Sequence, residues 1–185
     1  KELRDIEPDN NSSGHLIPQL IASTPDEMKR ISGLFIEKGY KKIDINLGCP
    51  FPLIAGKHKG SGILPYPNEV KALLETIRQY PEIDFSVKLR LGWESPEECL
   101  NILPFLNELP LSHITLHPRL GKQQYKGTVD MEGFTAFYKN CTQAIIYNGD
   151  IQTLQDIHKI TSLYPRLSGI MIGRGLLANP ALAWE

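Results

Sequence analysis

The chain has 185 residues, 41% hydrophobic and 22% charged, and a chain of this length buries a core without disulfides or metal ions. Its 20 Lys and Arg against 21 Asp and Glu argue against nucleic-acid binding through overall charge, so any such role needs a local patch. No apolar run has the length of a membrane span and no signal-peptide pattern opens the chain, so we expect no membrane contact. Cys49, Cys99 and Cys141 lack metal-ligand spacing, which predicts no metal site and favours a reducing compartment, the cytoplasm.

Short apolar runs alternate with amphipathic helical stretches along the chain. The strands that we predict cover residues 15–21, 42–47, 85–89, 113–116, 144–147 and 169–172. Their apolar residues are mostly consecutive, as in strands of a parallel sheet that is covered on both faces. Between the strands, Thr24, Ser95 and Thr153 begin helices with the residue pattern of N-caps. Pro104 predicts that the helix after Ser95 kinks or ends near Leu103.

The repeated strand–helix units predict an α/β protein with a parallel sheet, either open or closed as a (β/α)8 TIM barrel. We expect the barrel, with about six of its eight βα units. The N-terminal stretch is charged and rich in Asn and Ser, which predicts a loop. Both ends of the sequence look like cuts, so we expect residues 1–185 to form one incomplete catalytic domain. Two unpaired sheet edges would then favour self-association.

Polar residues and glycines recur where each predicted strand ends. In a barrel these ends meet at one mouth, where such enzymes keep their catalytic groups. The candidates are Gln19, Asn46, Cys49, Lys88, Arg90, His117, Arg119, Asn148, Gly149, Asp150, Gly173 and Arg174.

The run Gly173, Arg174 and Gly175 follows the last strand and precedes a helical turn. Glycines let backbone N–H groups approach a phosphate and Arg adds a forked donor, so we interpret the run as a phosphate site rather than a plain turn. Cys49 lies between Gly48 and Pro50 in a rigid loop. Because it does not fall on a helix face as Cys99 and Cys141 do, we interpret it as a nucleophile or a proton donor rather than a buried small hydrophobe.

Three other candidate residues each have two possible interpretations. Lys88 ends a strand, where a cation contacts an electron-rich cofactor or forms a salt bridge inside the barrel. His117 belongs to the site or is a histidine satisfied within the core. Asp150 belongs to the site or caps the following helix.

The motifs together resemble those of the tRNA-dihydrouridine synthases, a family of FMN-dependent barrel enzymes. The resemblance runs from Gln19 to Pro180. It is carried by residues 44–50 (DINLGCP), 59–62 (KGSG), 88–93 (KLRLGW), His117 and Arg119 with Tyr125 and Gly127 behind them, 147–151 (YNGDI) and 169–175 (GIMIGRG).

The resemblance implies that NADPH reduces FMN at the barrel mouth, and that the reduced flavin passes hydride to C6 of a uracil in tRNA. It implies that Cys49 protonates C5. The residues implied to hold FMN are Gln19, Lys88, His117, Asn148, Gly149, Asp150, Gly173 and Arg174. Those placed near the substrate uridine are Asn46 and Arg119, and we add Arg90 from the same strand-end motif as Lys88.

Parts of the family pattern are missing from this sequence. No Ala-Pro-Met-type strand opens it and no C-terminal helical tRNA-binding domain follows, and Pro118 stands where a glycine is commoner. One alternative is an FMN-dependent enzyme of the dihydroorotate or dihydropyrimidine dehydrogenase type that acts on a free pyrimidine. Another is a barrel fragment without catalysis.

Overall fold

The computed structural model describes residues 2–11 and 16–184. Its strands are β1 Gln19–Leu20, β2 Lys42–Leu47, β3 Asp84–Gly92, β4 Leu111–Leu120, β5 Ile145–Tyr147 and β6 Leu167–Ile170. They form one parallel sheet in which every strand pairs with the next strand of the sequence, in the order β1-β2-β3-β4-β5-β6. The α/β prediction with six parallel strands is therefore confirmed.

Helices connect successive strands, and further helices precede β1 and follow β6. They are α1 Glu2–Asp5, α2 Pro25–Glu37, α3 Pro52–Ala55, α4 Pro67–Glu75, α5 Glu97–Glu108, α6 Met131–Asn140, α7 Leu154–Leu163 and α8 Arg174–Ala178, with 3-10 turns at Pro8–Asn10, Gly60–Ile63, Thr76–Gln79 and Pro180–Ala183. Within residues 2–11 and 16–184, no helix has both the length and the apolar composition that a membrane crossing needs.

The core lies between the central strands and the helices that cover them. Ile43, Ile45 and Val87 are inaccessible to solvent, and they belong to the apolar residues that alternate with polar ones along β2 and β3, as on one buried face of a sheet. Phe134 of α6 makes edge-on ring contacts with Tyr147 of β5 and Tyr164 after α7, with centroids 5.0 and 4.9 Å apart. This packing holds the second half of the sheet against its helices.

Several predicted strand bounds change. Strand β1 covers only Gln19–Leu20, and His15 of the predicted strand lies outside the described residues. Strand β4 continues through His117 to Leu120, so its polar residues lie within the strand instead of after it. Pro118 is tolerated there because the pairing with β3 is irregular at that point. Strand β6 ends before Met171.

The helix starts agree with their caps, while one expected helix end is wrong. The Thr24 hydroxyl accepts from the Glu27 N–H at 3.2 Å, and Thr153 and Asp156 form a full capping box. The helix that carries Pro104 does not end near Leu103, because α5 runs to Glu108. Pro104 is exposed, so water reaches the face on which the helix loses a hydrogen bond.

The N-terminal stretch, predicted to be a loop, contains α1 and a 3-10 turn instead. Tertiary contacts stabilise it. The Tyr40 hydroxyl donates to the Ile6 carbonyl at 3.0 Å, and Lys38 pairs with Glu7. These partners lie at the end of α2, more than thirty residues away, and local sequence did not indicate them.

Candidate functional site

A cavity of about 580 Å³ opens at the carboxyl ends of the strands. This volume is in the range of small-molecule and cofactor sites. The sequence-predicted residues that line it are Gln19, Asn46, Cys49, Lys88, Arg90, His117, Asn148, Gly149, Asp150, Gly173 and Arg174. Among the twelve candidates, Arg119 alone is absent from this lining. Parallel strands thus bring the predicted residues together although up to 155 positions separate them.

The loop after β2 holds Cys49 at the cavity wall. The Asn46 side-chain oxygen accepts from the N–H groups of Gly48 and Cys49 at 3.0 and 2.8 Å. The N–H and hydroxyl of Ser61 both donate to the Cys49 carbonyl, at 3.0 and 2.9 Å. Cys49 is partly exposed, whereas Cys99 and Cys141 are buried. Its backbone is therefore fixed from two sides while its thiol borders the cavity.

Lys88 supplies a cation to the same wall. Its backbone is opposite Asn46 of β2, and it lies partly exposed within the cavity lining. Burial lowers the pKa of the Lys88 ammonium, and the neighbouring Arg90 guanidinium lowers it further. Lys88 forms no salt bridge with any described residue, so the structure does not support the alternative interpretation of this lysine as a salt-bridge partner.

Arg90 is 3% exposed and uses most of its donors on backbone carbonyls. Its Nε donates to the Gly48 carbonyl at 3.0 Å, and its Nη1 donates to the carbonyls of Leu120 and Gln124 at 3.0 and 2.7 Å. Burial lowers the pKa of Arg90 to about 10, which leaves it charged at neutral pH. Arg90 thus ties the Cys49 loop to the loop that follows β4.

Arg119 is 2% exposed and pairs with Asp150 through its two terminal nitrogens. Nη1 donates to Oδ1 at 2.9 Å and Nη2 donates to Oδ2 at 2.5 Å. Its Nη2 also donates to the Gly127 carbonyl at 2.8 Å. On the other side of Asp150, the exposed Arg174 donates to the same carboxylate at 3.0 Å. The hydrogen bonds from Arg119 lower the pKa of the Asp150 carboxyl, so this acid is ionised at neutral pH.

His117 is held in one neutral tautomer. Its Nδ1 donates to the Asn148 carbonyl at 2.5 Å, which leaves Nε2 as an acceptor that faces Arg119 Nη1 at 3.5 Å. Burial and the nearby Arg90 lower the pKa of His117 to about 4. His117 therefore lines the cavity as an uncharged imidazole.

Tyr125 is a cavity residue to which the sequence patterns assigned no role. Its ring is 60% exposed and lies 5.5 Å from the Arg90 guanidinium and 5.2 Å from that of Arg174. The residue before it, Gln124, has a φ of 52°. The sequence feature that could have identified Tyr125 is its position eight residues after His117, in the loop that Arg90 and Arg119 hold by hydrogen bonds.

The end of the cavity near α8 is open around Gly173 and closely packed around Gly149. A Cβ at Gly173 would meet no atom within 4 Å, while one at Gly149 would lie 2.9 Å from the Tyr147 hydroxyl. The Asn148 amide donates to the Met171 carbonyl at 2.8 Å and joins the ends of β5 and β6. This end therefore combines accessible backbone with the Arg174 guanidinium, a combination suited to an anion.

Comparison with known proteins agrees with this arrangement. The family model for dihydrouridine synthases (Dus) matches residues 1–185. The chain belongs to the dihydrouridine synthase family. It is 32% identical over 165 residues to tRNA-dihydrouridine synthase B of Pasteurella multocida (strain Pm70), covering 89% of this chain and 49% of the relative. It is 34% identical over 147 residues to a probable tRNA-dihydrouridine synthase of Helicobacter pylori (strain ATCC 700392 / 26695), covering 77% and 44%.

This dihydrouridine synthase family member spans about half the length of the curated relatives it matches. Among solved structures, morphinone reductase has a similar fold, with a TM-score of 0.57, 16% identity, and coverage of 85% of this chain and 46% of that one. The likeness supports the barrel architecture predicted from the sequence, of which six βα units are seen here.

Proposed function

We propose that this chain forms the cofactor- and uracil-binding part of an enzyme that reduces specific uridines in tRNA to 5,6-dihydrouridine, with FMN as cofactor and NADPH as electron donor. One observation carries the proposal: in a dihydrouridine synthase family member, a partly exposed cysteine borders a cavity that is also lined by Lys88 and by Arg174 beside Gly173. Membership in the family supplies the reaction class, and the cavity supplies residues for its parts.

The residues present suit FMN. The cavity volume of about 580 Å³ accommodates a ligand of this size. Lys88 is positioned to stabilise negative charge on a reduced ring, and Arg174 with the backbone near Gly173 would hold the phosphate. A side chain at position 173 would occupy space that is open in the structure, in agreement with close approach by a phosphate.

The proton donor in the proposal is Cys49. When bound and reduced by NADPH, FMN supplies the hydride that reaches C6 of the uracil. The Cys49 thiol donates its proton to C5, and water then returns a proton to the thiolate. Cys49 is held for this step by the hydrogen bonds to its N–H and carbonyl, which fix the loop without using the thiol. A uracil must leave its stack in the RNA to reach this cavity.

The Arg174→Ala variant tests the phosphate end. We expect the affinity for FMN to fall about 10- to 100-fold, because a charge-assisted hydrogen bond contributes roughly 1.5–3 kcal/mol. The affinity for riboflavin, which lacks the phosphate, should remain unchanged. Both affinities are measured by flavin fluorescence titration.

Arg78→Ala is the matched control for this variant, because Arg78 forms an exposed ion pair with Glu75 away from the cavity. It should leave the affinities for FMN and riboflavin as they are. Equal losses for FMN and riboflavin in Arg174→Ala would contradict a phosphate contact.

Anaerobic reoxidation tests the reaction itself in the full-length protein that contains this chain. The flavin is reduced with NADPH, unmodified tRNA is added, and the absorbance of oxidised flavin is followed. We expect reoxidation by tRNA that lacks dihydrouridine, and none by free uridine or orotate. Reoxidation by the free pyrimidine instead would favour a dehydrogenase of small pyrimidines, and a protein without a flavin band would contradict the proposal.

A further inference from the structure

A chain of side-chain hydrogen bonds runs from the sheet interior to the Cys49 loop. Ser86 Oγ donates to Asp44 Oδ1 at 2.6 Å, and Gln19 Nε2 donates to Asp44 Oδ2 at 2.6 Å. Asn46 Nδ2 donates to Gln19 Oε1 at 2.7 Å. The chain ends where Asn46 Oδ1 accepts from the Cys49 N–H at 2.8 Å. Three neighbouring strands, β1, β2 and β3, supply its side chains.

The direction of the bonds in this chain is set from both ends, by a carboxylate that only accepts and by two backbone N–H groups that only donate. An ionised Asp has only acceptors, so the Gln19 amide must turn its nitrogen toward Asp44. Its oxygen then faces Asn46 and requires the nitrogen of that amide. The Asn46 oxygen is thereby left for the Cys49 loop, where the two backbone N–H groups need an acceptor.

The same arrangement determines what the two amides offer to the cavity. Gln19 and Asn46 both line it, whereas Asp44 and Ser86 do not. Each amide nitrogen has two hydrogens and uses one inside the chain, so each retains one N–H without a partner among the described residues. The Asn46 oxygen already accepts two N–H groups. The group that fits the free N–H groups of these amides is a carbonyl oxygen.

We propose that Asp44 is a positioning residue that fixes the Gln19 amide and, together with the N–H groups of Gly48 and Cys49, the Asn46 amide, so that both amides present N–H donors to a carbonyl oxygen of the ligand. The inference rests on the proposed function for the identity of that ligand, since flavin and uracil both carry ring carbonyls. In the uracil case, donors at this place favour uracil over cytosine, whose amino group is itself a donor.

The charge state of Asp44 is sensitive to its surroundings. Burial raises the pKa of the Asp44 carboxyl, while the bonds from Ser86 and Gln19 and the nearby charges of His113 and Lys88 oppose this rise. The carboxylate is an obligatory acceptor only above this pKa. The constraint from the carboxylate is therefore present above the raised pKa of Asp44 and is lost as the pH falls through it.

Asp44→Asn in the full-length protein tests the inference, because an amide at position 44 can donate or accept toward Gln19 and no longer fixes the direction of the chain from this end. Asp84→Asn is the matched control, since Asp84 begins β3 on the same sheet and is exposed. The first readout is the NMR signal of the side-chain amides of Gln19 and Asn46. We expect these signals to shift or double in Asp44→Asn and to be unchanged in Asp84→Asn.

Function provides the second readout, which also distinguishes the two carbonyl sources. A loss of about tenfold in FMN affinity assigns the carbonyl to the flavin, and a similar loss in kcat/KM for tRNA at unchanged FMN affinity assigns it to the uracil. Unchanged amide signals in Asp44→Asn, or changed signals with both functional values intact, would overturn the inference. A third result is that the amide signals differ between the wild type and Asp44→Asn while the wild type neither binds FMN nor reduces tRNA. That result would refute the proposed function and not the positioning role.

Ser86→Ala separates direction from simple loss of a hydrogen bond. This variant keeps the carboxylate, so the amide signals at pH 8 should resemble those of the wild type. Loss of the Ser86 bond raises the pKa of Asp44 further, so the transition of the amide signals on acidification should move to higher pH. If Ser86→Ala changed the amide signals at pH 8 as much as Asp44→Asn does, the proposal would be contradicted. Loss of any hydrogen bond in the network would then be enough to change the amide orientation.

Discussion

Replacing Cys49 with alanine is expected to reduce tRNA reduction by about 10²- to 10⁴-fold, the usual contribution of a positioned general acid. The thiol is the group at the cavity wall that the Asn46 and Ser61 hydrogen bonds leave free. FMN affinity should stay within about twofold of the wild type, because the bonds that hold the loop come from the Cys49 backbone. Single-turnover reoxidation of the reduced flavin by tRNA measures the chemical step.

Cys141→Ala makes the same chemical change at a buried thiol that ends α6, away from the cavity. It should retain normal turnover and lose about 1 kcal/mol of stability. Near-normal turnover in Cys49→Ala would remove the proton-donor role. A parallel loss of bound flavin would mean that Cys49 supports the cofactor site instead.

Replacing Gly60 with alanine is expected to reduce turnover about 100-fold and to destabilise the fold. Gly60 has a φ of 60°, where a Cβ costs about 1–2 kcal/mol. That Cβ would lie 2.6 Å from the Cys49 carbonyl oxygen and 2.7 Å from the Cys49 Cβ, so the cysteine must move. A displacement of about 1 Å in a reacting group is sufficient for such a loss. Turnover with tRNA and thermal unfolding measure the two effects.

The opposite result is expected for Gly33→Ala in the middle of α2. A Cβ at Gly33 meets no atom within 4 Å, and alanine favours the helix by about 0.5–1 kcal/mol. This variant should be slightly more stable and fully active. If Gly60→Ala unfolded at the wild-type temperature and turned over normally, Gly60 would have no part in holding Cys49.

Local sequence was sufficient to predict the alternation of strands and helices and the residues that line the cavity. The strand at Lys42–Leu47 was predicted to the residue from a short run in which Ile43, Ile45 and Leu47 alternate with polar residues, the period of a strand. Eleven of the twelve candidate residues line one cavity, because the carboxyl ends of parallel strands must meet at the same edge of the sheet. Neither result required knowledge of distant contacts.

Sequence alone determined the family and the position of the cavity, because both depend on short motifs and on local periodicity. Tertiary structure decided what the polar side chains do there. Arg90 donates to the Gln124 carbonyl 34 residues away, and Arg119 pairs with Asp150 31 residues away, so both arginines predicted to lie near the substrate also hold loops of the fold together. The orientation of the Gln19 amide likewise depends on Asp44 and Asn46, which lie 25 and 27 residues away. Hydrogen-bond partners of this kind are selected by strand pairing and burial, which no local pattern encodes.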